Sequence, residues 1–110
     1  FQNRLSKGMN LGSDVTTYYA FNQAMDKDLT SEMFNTYNPY NTRSSAMAGK
    51  LPVGPICNPS KESILASINP TKSDYYYFVA DKNGNVYYTK TSSEHSAKVK
   101  ELKEKGDWIW

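Results

Sequence analysis

No apolar run in these 110 residues approaches the roughly 20 needed to cross a bilayer, and no signal peptide opens the chain. Cysteine occurs once, at Cys57, and histidine once, at His95. A single cysteine excludes an internal disulfide and a cysteine-based zinc site. Neither sign of charge dominates: 13 basic against 11 acidic residues leave +2, too balanced to argue for nucleic acid or an anionic membrane surface as partner. No glycine-rich phosphate loop and no internal repeat is present. Cys57 and His95 invite comparison with a nucleophile pair. Against that, Cys57 lies between Ile56 and Asn58 with no basic neighbour to favour a thiolate. His95 falls on the apolar side of a helix start, and with Glu94 beside it makes no metal site. No metal and no cofactor is expected.

What the chain does have is tyrosine, nine in all, each an apolar ring with a polar tip that helps a core whose hydrophobic fraction is only 38%. The length suits one domain or part of one. The chain opens on Phe1 instead of Met, in the middle of a helical pattern, so a piece of a longer protein is expected. Phe1 and Leu5 one turn apart, with Gly8 behind them, predict a helix end. Ser13 or Asp14 can cap the next helix, which carries Val15, Tyr18, Tyr19 and Met25 at helical spacing and is broken at residues 26–28. Leu29, Met33 and Phe34 predict a further helical turn. Asn58 and Pro59 fit the cap and first position of a short helix whose buried face is Ile64, Leu65 and Ile68. Residues 75–80 and 86–89 flank Asp81-Lys82-Asn83-Gly84, a β-hairpin signal. Its turn is either Asn83-Gly84 in a type I′ geometry or a type I turn with a bulge, and the two put opposite faces inward. Thr91-Ser92-Ser93-Glu94 matches a capping box for a last helix with His95, Val99 and Leu102 inward and Glu94–Lys98 and Glu101–Lys105 pairs outward. The fold class is α+β: short helices, a Tyr-rich antiparallel hairpin and a C-terminal helix, ending in the apolar tail 108–110.

The stretch that stands apart is LPVGPICNPS, residues 51–60, read with NPYNT, residues 38–42. Three prolines and a glycine fix much of its backbone, while Val53, Ile56 and Cys57 are apolar. A rigid, partly buried loop of this kind can hold Asn41, Thr42 and Asn58 in place, or can simply join two helices. The polar run before it, residues 35–49, exceeds the usual loop length. Among the carboxylates, Asp14 has apolar neighbours but is explained by N-capping, and Glu94 by its capping box. No general acid stands out.

Taken in order, FQNRLSKGMNLGSDVTTYY, NPYNT, LPVGPICNPS, ASINPTKSDYYYFVADKNG and TKTSSEH resemble the C-terminal half of the YceG-like (MltG-like) endolytic murein transglycosylase domain. The departures are Gly12 where the family often has Gln, Val15 where it has Pro, and Ser60 where it has Gly. The resemblance covers most of residues 1–110 and implies part of a larger catalytic domain. It implies a bacterial peptidoglycan lytic transglycosylase that cuts within glycan strands, between N-acetylmuramic acid and N-acetylglucosamine, leaving 1,6-anhydro ends. It also implies the extracytoplasmic side of the membrane, with a single N-terminal anchor outside this chain. The family's catalytic glutamate belongs to a helix preceding FQNRL, so no catalytic residue is expected here and the piece alone is expected to be inactive. Ser13, Asp14, Thr16, Tyr40, Asn41, Thr42 and Asn58 are the expected substrate-binding residues, since amides and hydroxyls suit sugar groups. Glu94 and His95 fall on a family motif too, with a structural role equally open. Replacing Asn41 or Asn58 is expected to lower turnover more than stability. The alternative is a non-catalytic glycan-binding or scaffold module whose partners are cell-wall synthesis proteins.

Overall fold

Short helices come first and the sheet last: α1 (Gln2–Ser6), α2 (Asp14–Phe21), α3 (Ser31–Asn35), a 3-10 turn at Ser45–Met47, α4 (Lys61–Ile68), β1 (Tyr77–Ala80), β2 (Val86–Thr89) and α5 (Ser92–Glu104). The fold is α+β. The computed structural model describes residues 1–108, so the Ile109-Trp110 end of the expected apolar tail lies outside the described residues. The chain divides into two compact units, Phe1–Thr71 and Lys72–Trp110.

In the first unit, α1 ends as its glycine predicts, with the Gly8 and Met9 amides returning to the Leu5 and Arg4 carbonyls at 3.1 and 2.9 Å. Gly49 meets the same bend: its amide donates to Met9 O at 2.9 Å, its φ is +71°, and a Cβ there would sit 3.0 Å from the Gly8 Cα. Only glycine fits that approach. Helix α2 stops at Phe21, earlier than expected, because Asn22 turns the chain at φ 51°; Met25 therefore lies beyond it. The buried face of α2 is Thr16 and Thr17, whereas Val15 and Tyr19 are each 49% exposed. Helix α3 is capped by Thr30, whose hydroxyl accepts from Met33 N at 3.2 Å. The cap of α4 is Ser60 and not Asn58: the Ser60 hydroxyl accepts from Ser63 N at 3.2 Å. The expected buried face of α4 is a correction as well. Ile64, Leu65 and Ile68 are exposed, the last at 75%, because no element of the described residues covers that face. Leu51, Val53 and Cys57 of the proline-rich stretch are exposed too, so that segment is less buried than expected.

In the second unit β1 and β2 pair antiparallel with Val79 opposite Tyr87 and Tyr77 opposite Thr89. Gly84 N donates to Asp81 O at 3.1 Å and Gly84 has φ +85°, so the turn is type I with a bulge, the second of the two expected geometries. That register turns Val79 and Tyr87 toward α5 and leaves Phe78 and Tyr88 exposed. The Asp81 carboxylate, 2% exposed, accepts from the amides of Asn83 and Asn85, from Asn85 Nδ2 and from the Tyr87 hydroxyl, all at 2.9–3.1 Å. Helix α5 is capped by Thr91, whose hydroxyl accepts from Glu94 N at 3.2 Å, and its buried anchor is Leu102. The Glu101–Lys105 pair forms at 2.8 Å. The expected Glu94–Lys98 pair is replaced by Lys98–Glu101 at 3.1 Å, with the Lys98 ammonium 4.2 Å from the Tyr87 ring centre.

Candidate functional site

Few apolar side chains of the first unit are buried, Leu11 and Met47 among them, so polar contacts carry much of its interior. They centre on the NPYNT segment. Asn41 is 0% exposed and its amide is fully engaged. Its Oδ1 accepts from the Thr17 hydroxyl at 2.7 Å and from Arg43 N at 3.2 Å, and its Nδ2 donates to Met33 O at 2.9 Å and Thr36 O at 2.8 Å. Thr42 is equally buried. Its hydroxyl accepts from Ser13 N at 2.9 Å and lies 2.7 Å from the Thr16 hydroxyl, which in turn accepts from Thr42 N at 3.1 Å and donates to Ser13 O at 2.6 Å. From the other side Asn10 Nδ2 donates to Thr42 O at 3.1 Å and Ser44 O at 2.6 Å. A buried polar group without a partner is costly, and here each finds one, so the segment is held in one conformation.

Four of the seven expected binding residues, Ser13, Thr16, Asn41 and Thr42, thus meet in one interior network. Asn41 and Thr42 have no surface left for a ligand. Asp14 is the first residue of α2 and not its cap; its carboxylate pairs with Arg43, whose guanidinium lies 4.1 Å over the Phe34 ring. Asn58 is exposed and apart from the network. Glu94 and His95 sit in the second unit: Glu94 at the start of α5, and the His95 ring stacked on Tyr77 at 5.5 Å.

Tyr40 is the member of the set that reaches the surface. Its amide donates to Asn38 Oδ1 at 2.9 Å, and its ring centre is 4.9 Å from that of Tyr19, tilted by 58°. Together with Val15, Tyr18, Gln23 and Asn38 these rings line an open groove of about 670 Å³. The proline-rich stretch backs it: Val53 N donates to Pro39 O at 3.0 Å, and a Cβ at Gly54 would come within 3.3 Å of the Tyr40 hydroxyl. Sequence reasoning missed Asn10, Thr17 and Tyr19. Tyr19 was visible in the Val15–Tyr19 spacing, which reads as a core stripe until Thr16 and Thr17 prove to be the inward face. Asn10 and Thr17 carried no signal, since their partners lie 32 and 24 positions away.

Among the described residues no three of His, Cys, Asp and Glu come together as a metal site. Among the described residues no carboxyl with a resolved shift is raised. Burial pushes Asp81 up, but the hydrogen bonds from Asn85, Tyr87 and Asn83 outweigh it and leave it below the usual range. Hydrogen bonds from Lys105 and Lys98 lower Glu101.

The sequence profile of the YceG-like family matches residues 1–101. The chain belongs to the YceG-like family. It is 41% identical, over 97% of its length, to an endolytic murein transglycosylase of Bacillus subtilis (strain 168), and 38% identical, over 92%, to one of Streptococcus pneumoniae (strain D39). It spans only 29% and 19% of those two proteins. A crystal structure of a YceG-like protein from Listeria monocytogenes is similar over 89% of the chain, at 40% identity and a TM-score of 0.77, and the match covers 31% of that structure.

Proposed function

We propose that this YceG-like chain is the cleft-wall part of a bacterial peptidoglycan lytic transglycosylase. The observation that carries the reading is the similarity, over nearly the whole chain, to two endolytic murein transglycosylases of which it spans less than a third. In such a reaction a carboxylic acid protonates the glycosidic oxygen between N-acetylmuramic acid and N-acetylglucosamine. The muramic C6 hydroxyl then bonds to the anomeric carbon as the glycosidic bond breaks and gives its proton back to the carboxylate, leaving a 1,6-anhydro end and consuming no water. One acid suffices, in contrast to the carboxyl pair of a hydrolase. That acid must hold its proton at working pH. Asp81 and Glu101 are shifted the wrong way for that, and Asp14 is paired to Arg43. By the resemblance to the family, whose catalytic glutamate belongs to a helix preceding the FQNRL segment, the acid is assigned to a part of the domain outside this chain, and the whole protein to glycan strands at the outer face of the membrane, held there by an anchor also outside it. Among the described residues no helix is long and apolar enough to cross a membrane.

Within this division of labour Ser13, Thr16, Asn41 and Thr42 are positioning residues. They fix the backbone that presents Tyr40, while Tyr40 and the exposed Asn58 face the strand. Glu94 and His95 brace α5 against the hairpin. The lack of a raised carboxyl equally suits a module that binds glycan and partners cell-wall synthesis proteins without cutting. Digestion of purified sacculi separates the two. The complete protein should release anhydro-muropeptides and this chain alone should release none; anhydro products from the chain alone, or reducing ends from the complete protein, would overturn the scheme.

A further inference from the structure

The apolar stripe of α2 is the wrong way round for a core. Val15 and Tyr19, one turn apart, are half exposed, while Thr16 and Thr17 point inward to Thr42 and Asn41. The interior is thus built from polar contacts, and the aromatic side of the helix is left for the groove. Its far wall is prearranged. Tyr40 follows the Asn38 turn, precedes two fully buried residues and stands over Gly54, where a side chain would crowd its hydroxyl. Tyr18 is fixed by a 2.7 Å bond from its hydroxyl to Lys27 O, whereas the Tyr19 and Tyr40 hydroxyls make no hydrogen bond among the described residues. Two tilted rings, amides from Gln23 and Asn38, and a volume of about 670 Å³ form a groove within the size range of small-ligand sites. None of its lining side chains among the described residues is charged.

These features together match a pyranose. The apolar C–H face of the sugar packs on an aromatic ring, and its hydroxyls and acetamido group hydrogen-bond to amides and phenols. A neutral lining favours the sugar that bears no carboxylate. We propose that the Tyr19–Tyr40 groove is a subsite for an N-acetylglucosamine residue of the glycan strand, in preference to the lactyl-bearing N-acetylmuramic acid. This rests on the cell-wall reading above and adds to it the sugar, the place and Tyr19.

The chain itself is titrated with N-acetylglucosamine tetramer by two-dimensional NMR, alongside sedimentation with purified sacculi. Shifts should gather at Tyr19, Tyr40, Gln23 and Asn38. Tyr19→Ala should weaken tetramer binding by roughly tenfold or more, in the range of aromatic stacking contacts measured by truncation. Tyr19→Phe should keep the platform, and Tyr37→Ala, whose exposed ring is not among those lining the groove, should leave binding unchanged. Unaltered spectra elsewhere show that each variant is folded, and if Tyr19→Ala is not, the shift map of the unaltered chain decides alone. A chain that sediments with sacculi but binds the tetramer elsewhere, or not at all, or equally well as Tyr19→Ala, overturns the groove and leaves the cell-wall reading standing. A chain that binds neither sacculi nor tetramer overturns both.

Discussion

Asn41→Ala should unfold the first unit well before it spoils any surface. The truncation removes the near partner of four groups, the Thr17 hydroxyl, Arg43 N, Met33 O and Thr36 O, and a longer 3.4 Å contact to Phe34 O. Thr17 is 0% exposed and has no route to water, so its hydroxyl carries the full penalty of a buried orphan. The other three belong to partly exposed residues and can be rehydrated, losing only the net worth of a hydrogen bond. At about 1–3 kcal/mol for the first and about 0.5–1.5 kcal/mol for each of the others, the cost comes to roughly 2.5–7.5 kcal/mol. That is a large part of the total stability of about 5–15 kcal/mol expected of a domain. In a unit of this size it would lower the melting temperature by at least about 10 °C, at about 4–8 °C per kcal/mol. Urea titration followed by circular dichroism, with NMR to resolve the unit, measures it. Thr17→Val, which removes one donor and keeps the shape, should cost only about 1 kcal/mol. Asn41→Asp should be worse than alanine, because a carboxylate cannot donate to the Met33 and Thr36 carbonyls. A loss below about 1 kcal/mol for Asn41→Ala, with an unchanged denaturant slope, would refute the network as the frame of this unit. Burial also reverses the expectation from the sequence that Asn41 matters more to turnover than to stability.

Gly49→Ala should destabilise through both its positive φ and the 3.0 Å approach to Gly8, by more than the ~1 kcal/mol of an ordinary glycine replacement, as read from the urea midpoint. The Asp81 carboxyl titrates below its ordinary value, so its contribution is fully present above pH ~4 and is lost as pH falls through the folded-state value. The hairpin amide signals of Asn83 and Asn85 should therefore broaden or move in acid, and Asp81→Asn should blunt that response. Thr91→Ala should cost about 1 kcal/mol by loss of the α5 cap, seen as a lower melting temperature. Ile68→Ser, a drastic change by sequence, should stay within about 0.5 kcal/mol in this chain, since the side chain is three-quarters exposed.

The second unit was the legible one. Its turn residues, its alternating strands and the Thr91 cap are local signals, and each decides a contact a few positions away. The hairpin register stayed open between two turn geometries, the first strand is shorter than its tyrosine run, and the ion-pair partner of Lys98 was missed, because the Tyr87 ring and Glu101 together hold it on the hairpin side. The first unit hides its logic. Val15 and Tyr19 carry core periodicity but line a groove, and α4 is amphipathic but uncovered, because the inward face of α2 is decided by threonines whose partners are an asparagine and a threonine far along the chain. The sequence puts the cap of α4 at Asn58, and the Ser60–Ser63 bond moves it to Ser60. Tyr40 and the NPYNT segment were singled out by resemblance; that Asn41 is buried while Tyr40 reaches the surface is decided by the long-range fold.

The same contrast has a kinetic side. The hairpin turn closes over three positions, with Gly84 N donating to Asp81 O at 3.1 Å, and the Asp107 amide closes the end of α5 on Leu102 O five positions back, before the Lys82 amide clasps the two by donating to Asp107 O at 2.9 Å across 25 positions. Asn10, by comparison, must find Thr42 and Ser44 across 32 and 34 positions before its amide gains anything. Local closure is fast and long-range closure is slow. In stopped-flow refolding the hairpin and α5 should therefore gain structure in the earlier phase, and substitutions at Asn41 or Asn10 should speed unfolding while leaving that first phase untouched. The threonine–asparagine lattice that presents the groove is then the last thing the chain builds and the first it gives up.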